Sequence, residues 1–399
     1  MALTNPEELI QPSGPPRTVS VLGATGSVGC NTVDLLARNR ELFEVVALTA
    51  NTNVGLLAEQ ARLLQPQTAI IGDPDRRDDL ADALSGTAIE VMAGAEAIIE
   101  AAGRPADIVI AAIVGAAGLR PTLAASRQGT IVAIANKECL VCAGDLVMAE
   151  VERSGATLLP VDSEHNAIFQ VFETANASEV ERLILTASGG PFRTWTKDQM
   201  AAATPAQAVA HPNWDMGRKI SVDSATLMNK GLELIEAAYL FPVPAENIEI
   251  LVHPQSVVHS MVAYVDGSVL AQLGAPDMRT PIAYTLSWPQ RMAAPTNRLD
   301  LAEIGQLSFE KPDLEKFPAL SLARAALMRG NGSTAVLNAA NEVAVASFLA
   351  ENIGFLDIAA VVEETLGAVS ARPIGALDDF NSLDAEARRT AQSLVKSRF

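Results

Sequence analysis

Apolar runs of strand length alternate with helically spaced apolar positions through residue 161 of the chain. Runs rich in Val, Ile and Leu predict strands at 18–22, 44–49, 68–71, 89–92, 108–113, 131–135 and 158–161. Helical spacing predicts helices at 28–38 and 54–64. Strands that alternate with helices form a parallel sheet covered on both faces, so we predict an N-terminal doubly wound, Rossmann-like domain.

The pattern changes after residue 169. One further strand is predicted at 183–187, and three more, spaced for an antiparallel sheet, at 248–252, 256–264 and 268–273. Proline-containing segments then indicate a linker. Helical spacing returns beyond the linker, at 320–328, 335–349, 358–366 and 383–395. We therefore predict an α/β protein whose central domain is α+β and whose C-terminal domain is helical.

The chain is long for a single core. Its 399 residues are 49% hydrophobic but only 4% aromatic, which suits helices packed on a parallel sheet in two or three domains. The net charge of −18 argues against a nucleic-acid surface, because phosphate backbones bind clustered Lys and Arg. No apolar run approaches the ~18 residues of a membrane span. We expect neither nucleic acid nor membrane among its partners.

Cysteine usage and the N-terminal segment bear on the compartment. Cys30, Cys139 and Cys142 are an odd number in a long chain, which argues against disulfides and favours a reducing compartment, and we interpret Cys139 and Cys142 as small core residues. Residues 1–17 lack the basic and apolar regions of a targeting peptide, so we interpret them as a disordered leader. The sequence therefore predicts a cytoplasmic protein.

A glycine-rich turn lies between the first predicted strand and the first helix. Gly23, Gly26 and Gly29 would let the backbone approach a pyrophosphate at the helix N-terminus, which predicts a dinucleotide site. The next strand ends at Asn51-Thr52-Asn53, without the acidic residue that binds the ribose of NAD. That absence favours NADP, although Arg and Lys are also missing there.

Two carboxylates follow the last strand of this domain. Asp162 and Glu164 are two residues apart, so on an extended segment their side chains would point to the same side. Like charges that close need a cation, and carboxylate oxygens favour magnesium or manganese. The alternative is a strand-to-helix junction, with Asp162 or Ser163 as N-cap and Glu164 facing the helix dipole.

Other polar clusters suggest a phosphorylated ligand. Ser224, Asn229 and Lys230 gather hydroxyl, amide and ammonium groups suited to a phosphate ester, and Glu233 adds a third carboxylate. Lys137 follows a strand end, where ligands of doubly wound sheets bind. The alternatives are an amphipathic helix with a polar face and a solvated lysine at a helix start.

These stretches carry a family resemblance. The motifs are G-A-T-G-S-V-G at 23–29, A-A-I-V-G-A-A-G at 111–118, A-N-K-E at 135–138, L-P-V-D-S-E-H-N-A-I-F at 159–169, S-G-G-P-F at 188–192, H-P-N-W at 211–214, S-V-D-S-A-T-L-M-N-K-G-L-E at 221–233 and H-P-Q-S-V-V-H-S at 253–260. In this order they resemble the 1-deoxy-D-xylulose 5-phosphate reductoisomerase family. The resemblance implies a homodimer that uses NADPH and a divalent cation, Mg²⁺ or Mn²⁺, to rearrange and reduce 1-deoxy-D-xylulose 5-phosphate to 2-C-methyl-D-erythritol 4-phosphate.

The resemblance also implies domains and residue roles. The domains are an NADPH-binding one at 18–161, a catalytic and dimerisation domain at 162–288, a linker at 289–313 and a helical domain at 314–399. Metal ligands would be Asp162, Glu164 and Glu233, which with Lys137 form the catalytic set. Substrate contacts would be Lys137, Ser163, Glu164, Ser188, His211, Trp214, Met216, Ser224, Asn229, Lys230 and Glu233. Cofactor contacts would be Gly23, Thr25, Gly26, Ser27, Val28, Asn51, Thr52, Asn53, Ala112, Asn136, Lys137, Glu138 and Gly217.

The sequence differs from the family pattern at one place, and two other functions are alternatives to this interpretation. The family often has Gly followed by Lys or Arg at the positions of Asn51 and Thr52. In this chain, neutral hydrogen-bond donors would therefore have to bind the 2′-phosphate of NADPH. A simple NAD(P)-dependent dehydrogenase of a semialdehyde or polyol phosphate would share the sheet and the glycine turn but need no metal. A redox-sensing protein without turnover would leave the buried carboxylates without a purpose, at a cost in stability.

Overall fold

The computed structural model describes residues 15–211, 214 and 217–398. The strands are β1 (Arg17–Leu22), β2 (Phe43–Ala50), β3 (Thr68–Ile71), β4 (Glu90–Ala93), β5 (Ile108–Ala111), β6 (Ile131–Ile134), β7 (Thr157–Pro160), β8 (Val180–Ala187), β9 (Ile248–Val252), β10 (Val258–Tyr264) and β11 (Val269–Leu273). The helices are α1 (Ser27–Arg38), α2 (Val54–Leu64), α3 (Arg77–Ala83), α4 (Ala95–Ala102), α5 (Leu119–Ser126), α6 (Glu138–Ser154), α7 (Ser163–Val171), α8 (Lys197–Ala201), α9 (Pro205–Val209), α10 (Arg218–Ala225), α11 (Met228–Leu240), α12 (Arg279–Ser287), α13 (Leu301–Ile304), α14 (Ala319–Arg329), α15 (Ser333–Leu349), α16 (Asp357–Ala368) and α17 (Leu377–Arg398).

The N-terminal sheet confirms the predicted doubly wound fold. Its strand order is β4-β3-β2-β1-β5-β6-β7, and the sheet is parallel. In register, Val19 of β1 lies beside Val45 of β2 and Ile108 of β5. These strands are buried because helices cover the sheet, which is why their sequences are continuous apolar runs rather than alternating ones.

The second sheet corrects one prediction. It has the order β11-β10-β8-β9, so β9 does not pair with β10 as an antiparallel meander would require. Instead β8 lies between them, parallel to β9 and antiparallel to β10. Only the hairpin of β10 and β11 matches the expected antiparallel pairing. The spacing of strands along the chain could not reveal that an earlier strand takes the central place.

The described residues divide into two compact units that interleave along the sequence. One runs to Ile113 and adds Arg120–Ala133 and Ser154–Thr157. The other comprises Val114–Leu119, Ile134–Arg153 and the chain from Leu158 onward. The second unit includes the predicted C-terminal helices, now α14 to α17, while most of the predicted linker has no regular structure apart from α13. The division into domains at 161, 288 and 313 stays a prediction.

The structure bears on the predictions about the cysteines and membrane spans, but not on the predicted leader. Cys139 and Cys142 are buried, and all three cysteines are free thiols, as predicted. Within the described part of the chain, no helix is both long and apolar enough to span a bilayer. The predicted leader falls mostly on residues 1–14, which lie outside the described residues.

Candidate active site

The glycine turn has the backbone geometry that a dinucleotide site requires. Gly23 has φ +88°, a left-handed value, and its amide donates to Thr49 Oγ1 at 2.9 Å. A Cβ on Gly29 would lie only 2.2 Å from the Gly23 carbonyl oxygen, so a side chain there would displace the turn from α1. Gly26 is the N-cap of α1 and is exposed, so the first amides of the helix are open to an anion.

The neighbouring strand ends carry the other predicted cofactor residues of this unit. Asn51, Thr52 and Asn53 are all exposed after β2, and the Asn53 side chain caps α2 by accepting from the Leu56 amide at 3.2 Å. Ala112 follows β5, and its carbonyl would lie 2.7 Å from a Cβ on Gly23. Thr25, Ser27 and Val28 lie in the turn and first residues of α1.

In the second unit, the A-N-K-E turn is held by Asn136. The buried Asn136 side chain donates to the Gly115 carbonyl at 2.9 Å and accepts from the Glu138 amide at 3.0 Å. It therefore caps the start of α6 and joins two of the turns predicted to face a ligand. Lys137, between Asn136 and Glu138, is buried. The alternative interpretation of Lys137 as a solvated lysine at a helix start is therefore wrong.

Asp162 and Glu164 converge for a different reason from the one predicted. They do not lie on an extended segment: Asp162 is the N-cap of α7, accepting from the Ser163 amide at 3.0 Å, and Glu164 is in the first helical turn. The strand-to-helix alternative is thus correct as local structure. It does not exclude a site, because both carboxylates still reach one point together with Glu233 of α11.

The three predicted metal ligands come together. Asp162, Glu164 and Glu233 each offer a carboxylate oxygen, and these oxygens all lie within 4.8 Å of one another. Glu233 is almost completely buried, while Asp162 and Glu164 keep partly exposed side chains. Three hard oxygen donors with one open side fit a divalent cation of the magnesium type, which keeps positions for substrate oxygens.

Two lysines lie against these carboxylates. Lys137 Nζ is 2.5 Å from Asp162 Oδ2 and 3.3 Å from Glu233 Oε1, and it donates to Asn229 Oδ1 at 2.9 Å. Lys230 Nζ is 2.9 Å from Glu164 Oε1 and also contacts Glu233. Since Asn229, Lys230 and Glu233 share α11, one helix supplies the amide, ammonium and carboxylate that the sequence predicted.

Burial and charge set the protonation of this cluster. Burial and the nearby Glu164 raise the pKa of Glu233 to about 7, against the opposing effect of Lys230 and Lys137. Burial would also raise the pKa of Asp162, but Lys137 and the other nearby cationic groups together outweigh burial and hold that pKa below its usual value. Burial alone would lower the pKa of Lys137, but the nearby carboxylates, Asp162 first, raise it. The net result is a raised pKa, so this ammonium stays protonated at neutral pH.

A second group of predicted residues surrounds the S-G-G turn after β8. Ser188 Oγ lies 2.9 Å from His211 Nε2, and the Trp214 amide donates to His211 Nδ1 at 3.0 Å. Because Nδ1 accepts, the proton of the neutral ring is on Nε2 and points to Ser188. Burial lowers the pKa of His211, against the opposing effect of Glu164, which favours the neutral ring.

The segment predicted as one amphipathic helix is broken into α10 and α11. Leu227 at the break has φ +60°, an uncommon value for a residue with a side chain. Ser224, near the end of α10, has its carbonyl 2.6 Å from where a Cβ on Gly190 would stand, so the S-G-G turn lies against it. Gly217 is the N-cap of α10, and the predicted contact Met216 lies outside the described residues.

Two buried residues behind the carboxylates were missed. His165 Nε2 lies 2.8 Å from the Glu233 carbonyl oxygen, and its Nδ1 is 3.2 Å from Glu236 Oε2. Both side chains are buried, so this pair supports the helix turn that carries Glu233. The available signal was the spacing, since Glu236 follows Glu233 by three residues on one helix.

His259, in β10, lies near Trp214, a predicted substrate contact. Its ring centroid is 6.2 Å from that of Trp214, and Glu164 influences its pKa, which burial lowers. His253 has a structural role, because its Nδ1 is 2.9 Å from the Ser308 carbonyl oxygen and its Nε2 accepts from the Val257 amide.

The sheet with its glycine turn and the buried three-carboxylate cluster together define an NAD(P)-dependent α/β oxidoreductase with a site for a divalent cation. A family model for 1-deoxy-D-xylulose 5-phosphate reductoisomerase matches residues 19–144, and two models for its C-terminal domain match residues 158–241 and 273–390. The chain belongs to the 1-deoxy-D-xylulose 5-phosphate reductoisomerase family.

Individual relatives agree with this assignment. The 1-deoxy-D-xylulose 5-phosphate reductoisomerase of Rhodospirillum centenum is 63% identical over 379 residues, which are 95% of this chain and 94% of the relative. The enzyme of that name from Zymomonas mobilis, solved in complex with NADPH, superposes with a TM-score of 0.92 at 55% identity, covering 96% of this chain and 100% of that one. A reductoisomerase solved with NADPH, fosmidomycin and magnesium has a TM-score of 0.91 at 43% identity, covering 95% and 98%.

Proposed function

We propose that this chain converts 1-deoxy-D-xylulose 5-phosphate to 2-C-methyl-D-erythritol 4-phosphate, using NADPH and Mg²⁺ or Mn²⁺. A rearrangement of the carbon skeleton would give an aldehyde, which is then reduced. The observation that carries the proposal is the convergence of Asp162, Glu164 and Glu233 within 4.8 Å beside two buried lysines. A simple dehydrogenase has no use for such a cluster, and the membership of the chain in the family agrees with this choice.

The three carboxylates are proposed to hold the cation, which when bound would supply Lewis-acid and templating chemistry to the substrate carbonyl and hydroxyl oxygens. Lys137 remains protonated in this site, so it would donate a hydrogen bond to a substrate oxygen rather than accept a proton. Ser163 Oγ, which donates to Glu164 Oε2 at 2.6 Å, would contact the same end of the substrate.

The phosphate of the substrate would lie at the other cluster. Ser188, His211, Ser224, Asn229 and Lys230 are proposed to bind it, and the neutral His211 presents an Nε2–H for a phosphate oxygen. Trp214, together with Met216, would cover the bound substrate and exclude water from the reactive aldehyde. The dinucleotide would take the glycine turn and the strand ends that carry Asn51 and Ala112.

The test is the absorbance decay of NADPH with 1-deoxy-D-xylulose 5-phosphate and Mg²⁺ or Mn²⁺. We expect oxidation that stops on addition of EDTA and returns with excess metal, because the carboxylates need a cation to polarise the substrate. A parallel reaction with NADH measures how well neutral donors at Asn51 and Thr52 discriminate the 2′-phosphate. Folded, NADPH-binding protein that oxidised no NADPH with this substrate would refute the proposal.

We also propose a homodimer, with β11 at the interface. This strand is the edge of the second sheet and exposes Val269 and Leu270, with Val265 exposed just before it. An exposed apolar edge strand is open to pairing with a second copy. Sedimentation velocity should show a dimer that Leu270→Lys dissociates, whereas a monomeric wild-type protein at micromolar concentration would contradict the proposal. The cytoplasmic location stays a prediction that cell fractionation would check.

A further inference from the structure

A second charged network lies beside the carboxylate cluster. Lys219, in the first turn of α10, places Nζ 2.9 Å from Asp223 Oδ2 on the same helix and 3.3 Å from Glu138 Oε1 at the start of α6. Asp223 is buried, whereas the Lys219 side chain is one-third exposed, at 33%. The ammonium therefore bridges two helices that come from distant parts of the chain.

The C-terminal helices complete this network. The second oxygen of Asp223 accepts from Asn341 Nδ2 of α15 at 2.8 Å, and Asn341 is fully buried. The next residue, Glu342, is held by Arg388 of α17 at 2.7 Å. The polar stretch Asn338–Glu342 of α15 thus supplies the contact that fixes Asp223.

Helix stability does not explain the position of Lys219. A cation in the first turn of a helix is unfavourable with respect to the helix dipole. An ion pair four residues apart also stabilises a helix less when the base precedes the acid, as Lys219 precedes Asp223, than in the reverse order. The partners of Lys219 suggest another reason. Glu138 directly follows Lys137, and Asp223 directly precedes Ser224, so each carboxylate is the sequence neighbour of a residue proposed to bind substrate.

We propose that Lys219, Asp223 and Asn341 are positioning residues for the reaction. They fix the start of α6 relative to the end of α10, and so set the spacing between Lys137 at the oxygen-rich end of the substrate and Ser224 at its phosphate. Through Asn341 the C-terminal helices contribute to that spacing. The inference rests on the proposed function, because it assigns roles to Lys137 and Ser224.

The experiment uses the full chain with Lys219→Met, which keeps the side-chain length and removes the charge. We expect kcat/KM for 1-deoxy-D-xylulose 5-phosphate to fall by about 10-fold to 100-fold, since displacements of about 1 Å at reacting groups have effects of this size. The KM for NADPH should stay within about twofold, and Lys219→Arg should recover part of the loss. Lys197→Met, at an exposed lysine that begins α8, is the control and should match the wild type.

A double-mutant cycle separates positioning from general stability. If Lys219 acts through Ser224, Lys219→Met should cost less in a Ser224→Ala background than in the wild type. Additive losses, or a Lys219→Met enzyme with wild-type kcat/KM, would overturn the inference. Failure of the proposed function is distinguishable, because then the wild-type enzyme itself would not turn over this substrate.

Discussion

Glu233→Gln is expected to lower kcat/KM by about 10³-fold or more while the dissociation constant for NADPH stays unchanged. The substitution keeps the size of a fully buried side chain but removes one of the three carboxylates that we propose to hold the cation. Lewis-acid stabilisation is worth several kcal/mol, and each 1.36 kcal/mol is tenfold in rate, so losing the cation gives a change of this order. Steady-state kinetics and fluorescence titration of NADPH measure the two quantities.

The same variant has a pH signature. A carboxyl group must lose its proton to bind Mg²⁺, and the pKa of Glu233 is raised to about 7. Calorimetric titration of the wild type should therefore show Mg²⁺ affinity that weakens as the pH falls below 7, by up to about tenfold per pH unit for one proton. Glu233→Gln should lose that dependence. Glu246→Gln, at an exposed carboxylate, is the control, and a Glu233→Gln enzyme with normal turnover would contradict the metal site.

Lys230→Met is expected to lower kcat/KM by about 10²-fold to 10³-fold, chiefly through a higher KM for the substrate. Truncating one partner of a buried hydrogen-bonded charge pair costs about 2–5 kcal/mol in binding, which is about 30-fold to 4,000-fold and includes this range. In the protein without Mg²⁺ the substitution also removes the ammonium beside Glu164 and one of the two beside Glu233, which keeps only Lys137. The free energy of unfolding should fall by about 3 kcal/mol, measured by urea denaturation.

Mg²⁺ distinguishes the two effects of Lys230→Met. The cation should restore most of the lost stability, because it neutralises the carboxylates of Glu164 and Glu233. It cannot restore the contact that Lys230 is proposed to make with the substrate phosphate. Lys316→Met is the control, because Lys316 is partly buried and donates to the Arg193 carbonyl at 2.7 Å, away from the carboxylates. An unchanged substrate KM in Lys230→Met would remove Lys230 from the phosphate site.

Much of the fold and many of the candidate site residues followed from local pattern. The seven strands of the N-terminal sheet and its first two helices were predicted to within a few residues, because alternating apolar periods and turn glycines act within one element and its neighbours. The cluster of Asp162, Glu164 and Glu233 was also predicted, although resemblance to a family, not spacing alone, joined Glu233 to the other two.

Tertiary structure alone decided which distant residues meet. The sequence determined an alternating α/β chain with a glycine turn and three acidic residues in short polar motifs, since these depend on near neighbours. It did not show that β8 lies between β9 and β10, or that Asn341 reaches Asp223 across 118 residues. Such contacts depend on how whole elements pack against each other, and a single chain carries no periodic signal for that choice.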